Sequence, residues 1–171
     1  MNLYDQSIHV YRQGLTMLSG LLAKAEDHAK GDGLLQSKLA DDMHPLAVQI
    51  RFLSNQPGEA AERLTGRKFS SRDENDANLA DARAFLAKME EMLGQIERSE
   101  MKDADSTIVM DLPNGMQFTM TLSEYIRDWA MPNFYFHLTT AYAILRHEGV
   151  ELGKADFVPH MFKYATKMPG S

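Results

Sequence analysis

Histidine is the side chain in this sequence with the widest chemical scope, and no cysteine is present. The absence of cysteine excludes thiolate nucleophiles, thiolate metal sites and disulfides. No two histidines stand four residues apart, the spacing that places two ligands on one helix face, and no His-Glu-x-x-His motif occurs. A metal site would therefore have to be assembled from separate elements. The six histidines are His9, His28, His44, His137, His147 and His160.

His137 differs from the others because it lies in an aromatic segment, between Phe134 and Tyr142. A polar ring in such surroundings must find a hydrogen-bonding partner or lose free energy on burial. Asn133 stands one helical turn earlier, about 40° away around the helix. Two roles are open for His137. It either braces the second helix as a hydrogen-bonded core histidine, or it belongs to a ligand-binding site.

Other polar and aromatic residues could complete such a site. His44 follows Asp41 and Asp42, and Gln49 lies further along the same predicted helix. We predict that Asp42 caps this helix and offsets its dipole. Aromatic residues at helical spacing are more often core than pocket. The residues predicted to wall a pocket with His137 are Trp129, Tyr135, Tyr142 and Asp42.

Motifs of the common enzyme classes do not occur. The sequence has no Gly-x-Ser-x-Gly elbow, no phosphate-binding Gly-Lys-Ser/Thr loop and no dinucleotide-binding fingerprint. No reaction or catalytic residue is predicted from the residues themselves.

The elements that must position these residues are mainly helices with apolar side chains at spacings of three and four. The first helix is predicted from a cap at Asp5 to about Lys30. The second begins near His44, with Pro45 in its first turn, and ends at Gly66. Asn55-Gln56-Pro57-Gly58 is predicted to kink it or divide it in two.

The second half of the chain adds two helices and a hairpin. A polar loop over residues 68–78 leads to a third helix from Leu79 to Ile96. Asn114-Gly115 between two β-prone runs predicts a β-hairpin. Thr121 or Ser123, together with Glu124, opens the last long helix, which passes Pro132 with a kink or restart and reaches His147.

Together these elements predict one domain over residues 1–171. Its fold class is all-α, an up-and-down four-helix bundle with one small β-hairpin before the last long helix. A chain of 171 residues is long enough to bury a core without disulfides or structural metals. The core of such a bundle is a natural place for a ligand or metal site.

Charge and hydropathy limit the partners. The net charge is −6, and no run of Lys or Arg forms the stripe that nucleic acids require. No stretch approaches the roughly 18 apolar residues of a membrane span, and the N-terminus has no signal-peptide pattern. We expect a cytoplasmic protein that binds neither nucleic acid nor membrane.

Several segments carry a resemblance to a known family. They are Pro132–Phe157, Leu3-Tyr4-Asp5, Asp42-Met43-His44-Pro45-Leu46 with Gln49, and Leu64-Thr65-Gly66. They resemble an uncharacterised bacterial family, a domain of unknown function within the DinB/YfiT-like superfamily of metal-dependent four-helix bundles. The resemblance covers nearly the whole chain.

The resemblance implies a homodimer and a divalent metal site, with zinc or nickel as the ion and no other cofactor. The wider superfamily supplies one His from helix two and a His-x-x-x-His pair from the last long helix. His137 matches the second His of that pair, and Asn133 replaces the first. The helix-two ligand falls at His44 or Gln49. An amide oxygen is a weak ligand for zinc or nickel beside imidazole, so this site would hold metal less tightly.

Two functions follow as hypotheses. In the first, the chain is a DinB-like protein with a degenerate metal or small-molecule site around His137. In the second, it is a non-catalytic binding or stress-related module in which the metal position has become a structural, hydrogen-bonded polar cluster. Superfamily enzymes look like thiol-dependent transferases and hydrolases, but fold alone does not carry an activity to this chain.

Overall fold

The computed structural model describes residues 2–167, which form a mainly helical domain with one small antiparallel hairpin. The α-helices are α1 (Leu3–Gln6), α2 (Ile8–Glu26), α3 (Leu46–Thr65), α4 (Leu79–Gly94), α5 (Leu122–Glu124), α6 (Met131–His147) and α7 (Lys154–Phe157). The strands are β1 (Thr107–Asp111) and β2 (Gln117–Thr121). Short 3-10 segments span Gly31–Gln36, Arg98–Glu100 and Pro159–Tyr164. The predicted helical fold class with a hairpin before the last long helix is confirmed.

The first predicted helix is divided at Ser7, whose hydroxyl donates to the carbonyl of Leu3. Asn2 caps α1 by accepting a hydrogen bond from the Asp5 N–H. The prediction that Asp5 is the cap is therefore wrong, because Asp5 already lies in the first turn. The following helix, α2, ends at Glu26, four residues earlier than predicted.

Helix α3 begins after Pro45, which is its extended N-terminal flanking residue rather than part of its first turn. Asp42 makes no capping hydrogen bond to α3 and is exposed, so the predicted cap there is wrong. Pro57 does not divide the helix, which continues to Thr65. Gly66 ends it as predicted, in the left-handed conformation (φ 86°) that glycine adopts without strain.

The hairpin pairs Thr107 with Thr121 and Asp111 with Gln117, so five residues connect its strands instead of the two of a tight Asn-Gly turn. Thr121 then forms a capping box with Glu124, which settles the choice between Thr121 and Ser123. The helix start is thus fixed by the end of β2.

A π-helical segment, Tyr125–Ala130, separates α5 from α6. At its end the Met131 N–H reaches back five residues to the carbonyl of Ile126. Pro132 follows, and its ring excludes the normal i−4 hydrogen bond, which explains why the helix widens here. The backbone stays helical through Pro132, so the predicted kink or restart takes the form of this change from π- to α-helical hydrogen bonding, without a break in the helix.

The four long helices share one core. Helix α2 packs against α4 and α6, and α3 packs against the same two helices. Tyr11, Phe134, Leu18, Ile50 and Leu53 are among the fully buried side chains. None of the helices within residues 2–167 is long and apolar enough to cross a membrane.

The predicted packing of the tail against the core holds only in part. The ring of Phe157 meets that of Tyr142 at 5.4 Å, whereas Phe162 and Tyr164 are exposed. The 3-10 segment carrying these two residues has no buried side chain, so it presents apolar rings to solvent.

Candidate functional site

His137 on α6 is joined to Gln49 on α3 by a hydrogen bond of 2.7 Å between Nδ1 and Oε1. Gln49 is only 2% exposed, and its Nε2 donates to the main-chain carbonyl of His44 at 3.1 Å. A carbonyl can only accept, so the Gln49 oxygen must face the histidine, and Nδ1 of His137 must carry the proton. The Nε2 of His137 therefore keeps its lone pair.

Aromatic rings surround the His137 imidazole. Phe52 lies at 4.8 Å and Phe136 at 5.3 Å between ring centroids. Burial, and then the charge of nearby His44, lowers the pKa of His137 to about 4. The ring is partly buried rather than mostly buried as predicted, and it is neutral at pH 7.

Of the predicted metal ligands, His137 and Gln49 contact each other directly, whereas the Asn133 and His44 side chains do not bond to either side chain of this pair. The Asn133 amide turns away from His137, and its Nδ2 donates to the Trp129 carbonyl at 2.7 Å. His44 is exposed, and its ring meets the Phe52 ring at 5.6 Å. In this arrangement, therefore, Gln49 is the helix-two residue that contacts His137 directly.

A zinc or nickel ion implied by the superfamily would need several donor atoms directed at one point. Here the Gln49 amide is occupied at both ends and the Asn133 nitrogen is bonded to the main chain, which leaves Nε2 of His137, the amide oxygen of Asn133 and the exposed His44 ring as donors on separate side chains. Within residues 2–167 no group of three His, Cys, Asp or Glu side chains is placed to hold a metal. This donor set does not fit a metal centre as arranged, and the metal site stays a prediction.

A cavity of about 450 Å³ lies beside the His137–Gln49 pair, within the size range of small-molecule sites. Asn133, Trp129 and Phe52 line it, but His137 does not. The rest of the wall comes from α3, the loop after it, the hairpin connection, the π-helical segment and α2. These other lining residues are Tyr11, Arg51, Asn55, Gln56, Glu59, Ser71, Arg72, Asp73, Pro113, Tyr125 and Ala130.

The loop after α3, which forms one wall of the cavity, is held against that helix by two hydrogen bonds between Asn55 and Arg72. The Asn55 amide donates to the Arg72 carbonyl at 2.8 Å and accepts from the Arg72 N–H at 3.2 Å. The Arg72 guanidinium binds Asp76 at 2.6 and 2.8 Å, donates to Ser54, and stacks 3.8 Å over the Phe85 ring. These contacts hold this wall of the cavity in place.

Three of the polar atoms buried around the cavity have no partner in the described part of the chain. They are the Tyr11 hydroxyl, the Gln56 Oε1 and the Arg72 Nε. Tyr11 is fully buried, and desolvation is the main reason that its pKa rises well above the usual value. Native proteins pair nearly all such groups with protein or bound molecules. Because these three atoms have almost no accessible surface, a molecule in the cavity would reach them only after a side-chain movement.

The remaining predicted pocket residues do not join this cavity. Tyr135 is 46% exposed on the outer face of α6. Tyr142 packs on Phe157, and Asp42 is exposed before α3. Of the four residues predicted to wall a pocket, Trp129 is the one that lines the cavity.

Sequence reasoning missed Tyr11, Gln56, Glu59 and the loop around Arg72. Tyr11 was assigned to the apolar stripe of the first helix, and residues 68–78 to a surface loop. One signal was available: Asn55 and Gln56 are amides in the second helix, preceding Pro57. Both meet cavity or loop partners instead of solvent.

Comparison with known proteins places the chain in a family. Residues 3–158 match the family described as Domain of unknown function (DUF1993). The chain belongs to this DUF1993 family.

A solved structure of a DinB family member protein from Shewanella denitrificans is similar to the DUF1993 protein. It is 31% identical in sequence, the match covers 99% of this chain and 94% of that chain, and the TM-score is 0.78. None of the curated proteins matches this chain. The resemblance to a domain-of-unknown-function family within the DinB-like superfamily is confirmed.

Proposed function

We propose that this DUF1993 protein is a binding module that holds a small polar molecule in the cavity beside His137. The observation that carries the proposal is a cavity of about 450 Å³ whose wall includes three residues with unpartnered polar atoms just behind its surface, the Tyr11 hydroxyl, the Gln56 Oε1 and the Arg72 Nε. The four long helices are proposed to run as an up-and-down bundle. The His137–Gln49 pair then acts as a hydrogen-bonded strut at the position where the superfamily carries a metal.

The strut and the cavity share α3 and α6, which explains how one supports the other. The Gln49–His137 bond holds α3 to α6 about one turn from Phe52 and Asn133, two residues of the cavity wall. A bound molecule would therefore meet a wall that is already positioned, and less ordering would accompany binding.

Trp129 offers a direct test, because it is the single tryptophan of the chain and lines the cavity. We expect at least one class within a panel of small amines, carboxylates, amides and sugars to change Trp129 fluorescence saturably. Ala130→Leu adds three carbons beside Trp129 and should abolish that change, because Ala130 also lines the cavity. Ala87→Leu, on the exposed face of α4, is the matched control and should bind as wild type does.

Two outcomes would contradict the proposal. One is that no class of compound produces a saturable signal in the folded wild type. The other is that Ala130→Leu, confirmed as folded by its thermal melt, binds as tightly as wild type does.

We also propose that two copies associate through the outer face of α6. From Ala130 to Leu145 this helix carries no charged residue. Tyr135 and Phe136 are 46% and 59% exposed on it, with Leu39 beside them at 41%. A helix surface without charges is normally covered, and an uncharged face lets two chains of net charge −6 meet without like-charge repulsion at the contact.

For this interface we expect wild type to sediment as a dimer at micromolar concentration and Phe136→Glu as a monomer. The reason is that a two-fold contact would place two carboxylates close together. Val109→Glu alters an equally exposed apolar residue on the hairpin and should remain dimeric. A monomeric wild type, or a dimeric Phe136→Glu, would rule out this face.

A further inference from the structure

The cavity wall on α3 carries opposite charges at its two ends. Arg51, Asn55 and Glu59 stand four residues apart, so Arg51 and Glu59 are separated by about 12 Å along the helix axis. At the Glu59 end lie Tyr11 and Tyr125, which are 0% and 4% exposed. The Glu59 side chain is half-buried and contacts the exposed Ser71 of the loop. We call the end lined by Tyr11, Tyr125 and Glu59 the deep end, because Tyr11 and Tyr125 are the most buried of the lining residues.

Hydrogen-bond acceptors predominate at this deep end. The Glu59 carboxylate accepts one hydrogen bond, from the Ser71 hydroxyl at 2.6 Å. Within the described residues no Lys, Arg or His nitrogen lies within 4.0 Å of this carboxylate. The Gln56 Oε1 is a further acceptor without a partner. A ligand group with several N–H donors and a positive charge would complement these oxygens.

The cations around the cavity are engaged elsewhere. Arg72 is neutralised by Asp76 and stacked on Phe85. Arg63 donates to the main-chain carbonyl of Glu59 and lies over the Tyr125 ring. Arg51 donates to the main-chain carbonyl of Asp73, so its charge remains available, but at the opposite end from Glu59. An anionic ligand group would therefore be attracted toward Arg51, away from the deep end.

Aromatic rings complete the surroundings of the deep end. Tyr125 lines it, and Phe52 and Trp129 line the same cavity. Aromatic faces attract cations, most strongly where water is excluded. Arg63 already lies over the Tyr125 ring and Arg51 over the Phe52 ring, so Trp129 is the one of these three rings without a cation among the described residues. The Trp129 ring and the Glu59 carboxylate together favour an organic ammonium group over a neutral hydroxyl or a carboxylate.

We propose that the ligand of this cavity carries a protonated primary amine, which binds at the deep end with Glu59 as its counter-ion. The amide oxygen of Gln56, once its side chain turns toward the cavity, accepts a further N–H donor. This inference rests on the proposed binding function and specifies the chemical class of the ligand.

The test compares three probes of similar size, 2-phenylethylamine, 2-phenylethanol and 3-phenylpropionate, titrated against Trp129 fluorescence at pH 7. We expect the amine to bind at least tenfold more tightly than the alcohol, the difference that a charge-assisted hydrogen bond produces. Glu59→Gln should weaken amine binding by about tenfold or more and leave alcohol binding nearly unchanged. Glu62→Gln, on the same helix but outside the cavity, is the matched control and should bind the amine as wild type does.

The outcomes separate this inference from the function on which it rests. If the carboxylate binds best and loses affinity in Arg51→Gln, the cavity is a binding site but the amine class is wrong. If the amine binds equally well to wild type and to folded Glu59→Gln, the role of Glu59 is wrong. If no probe binds and the broader panel also gives no signal, both proposals fail.

Discussion

Gly14→Ala is expected to lower the free energy of unfolding by about 1 to 2 kcal/mol. A methyl group on Gly14 would lie 2.4 and 2.6 Å from two ring carbons of Phe134, a fully buried side chain. Such overpacking costs about 1 to 3 kcal/mol, sometimes more, and exceeds the gain of about 1 kcal/mol that alanine normally gives inside a helix. The Phe134 ring also meets the Tyr11 ring at 4.8 Å, so displacing it would disturb the cavity wall.

Gly20→Ala is the matched control, since it makes the same change in the same helix where no atom beyond the local helix backbone lies within 4 Å of the added carbon. It should stabilise the protein by up to about 1 kcal/mol. Chemical denaturation of the three proteins gives both free-energy differences. Equal effects of the two substitutions would show that the α2–α6 contact is looser than described.

His137→Leu is expected to destabilise the protein at pH 7 by about 1 to 3 kcal/mol. The substitution leaves the buried Gln49 Oε1 without its donor, and an unpaired buried acceptor carries that cost. Removing both partners in a double variant with Gln49→Leu should cost less than the sum of the two single substitutions. Strict additivity would show that the two side chains do not depend on each other.

The same variant should also show a smaller loss of stability in acid. The pKa of His137 is about 4 in the folded protein and about 6.5 in the unfolded chain. Between these values the unfolded chain binds the extra proton, so the stability of wild type falls as the pH decreases from 7 to 5. Complete exclusion of water would make this loss about 2 kcal/mol, and the partial exposure of the ring reduces our expectation to about 1 kcal/mol.

Denaturation curves of wild type and His137→Leu at pH 7 and pH 5 measure the pH-dependent contribution of His137 to stability, because the variant lacks the titrating ring. The difference in free energy of unfolding between wild type and variant should be about 1 kcal/mol smaller at pH 5 than at pH 7. The carboxylates and the four histidines remote from His137 are common to both proteins and cancel in the difference, and His44 is the one other group whose surroundings the substitution changes. A gap that stays constant would mean that His137 titrates normally in the folded protein.

The long helices and the hairpin could be predicted because their signals are local. Apolar spacing located α2 and α4, and Asn114-Gly115 located the hairpin. Helix starts were less predictable, because several polar residues competed for each cap. Asn2 rather than Asp5 caps α1, and Pro45 rather than Asp42 occupies the position immediately before α3.

The candidate site could be predicted only in part, because its key contacts join distant segments. The importance of His137 follows from one aromatic stretch, and Gln49 was one of two candidates for its partner. The turn of Asn133 onto Trp129 depends on the geometry next to the π-helical segment, which no spacing rule anticipates. The cavity needs Tyr11 from α2 and a loop held by Asn55, contacts that only the folded chain brings together.

The most direct test of the strut is the effect of a chelator on the stability difference between wild type and His137→Leu. Both proteins, purified without an affinity tag, are melted at pH 7 with EDTA, without it, and with added zinc or nickel. A hydrogen-bonded strut predicts that the difference in Tm is the same in all conditions and that neither metal raises the Tm of wild type saturably. A metal ligand gives the opposite result, because a metal that binds only the folded state stabilises it by mass action. Stoichiometric metal in wild type, together with a difference in Tm that disappears in EDTA, would contradict the account.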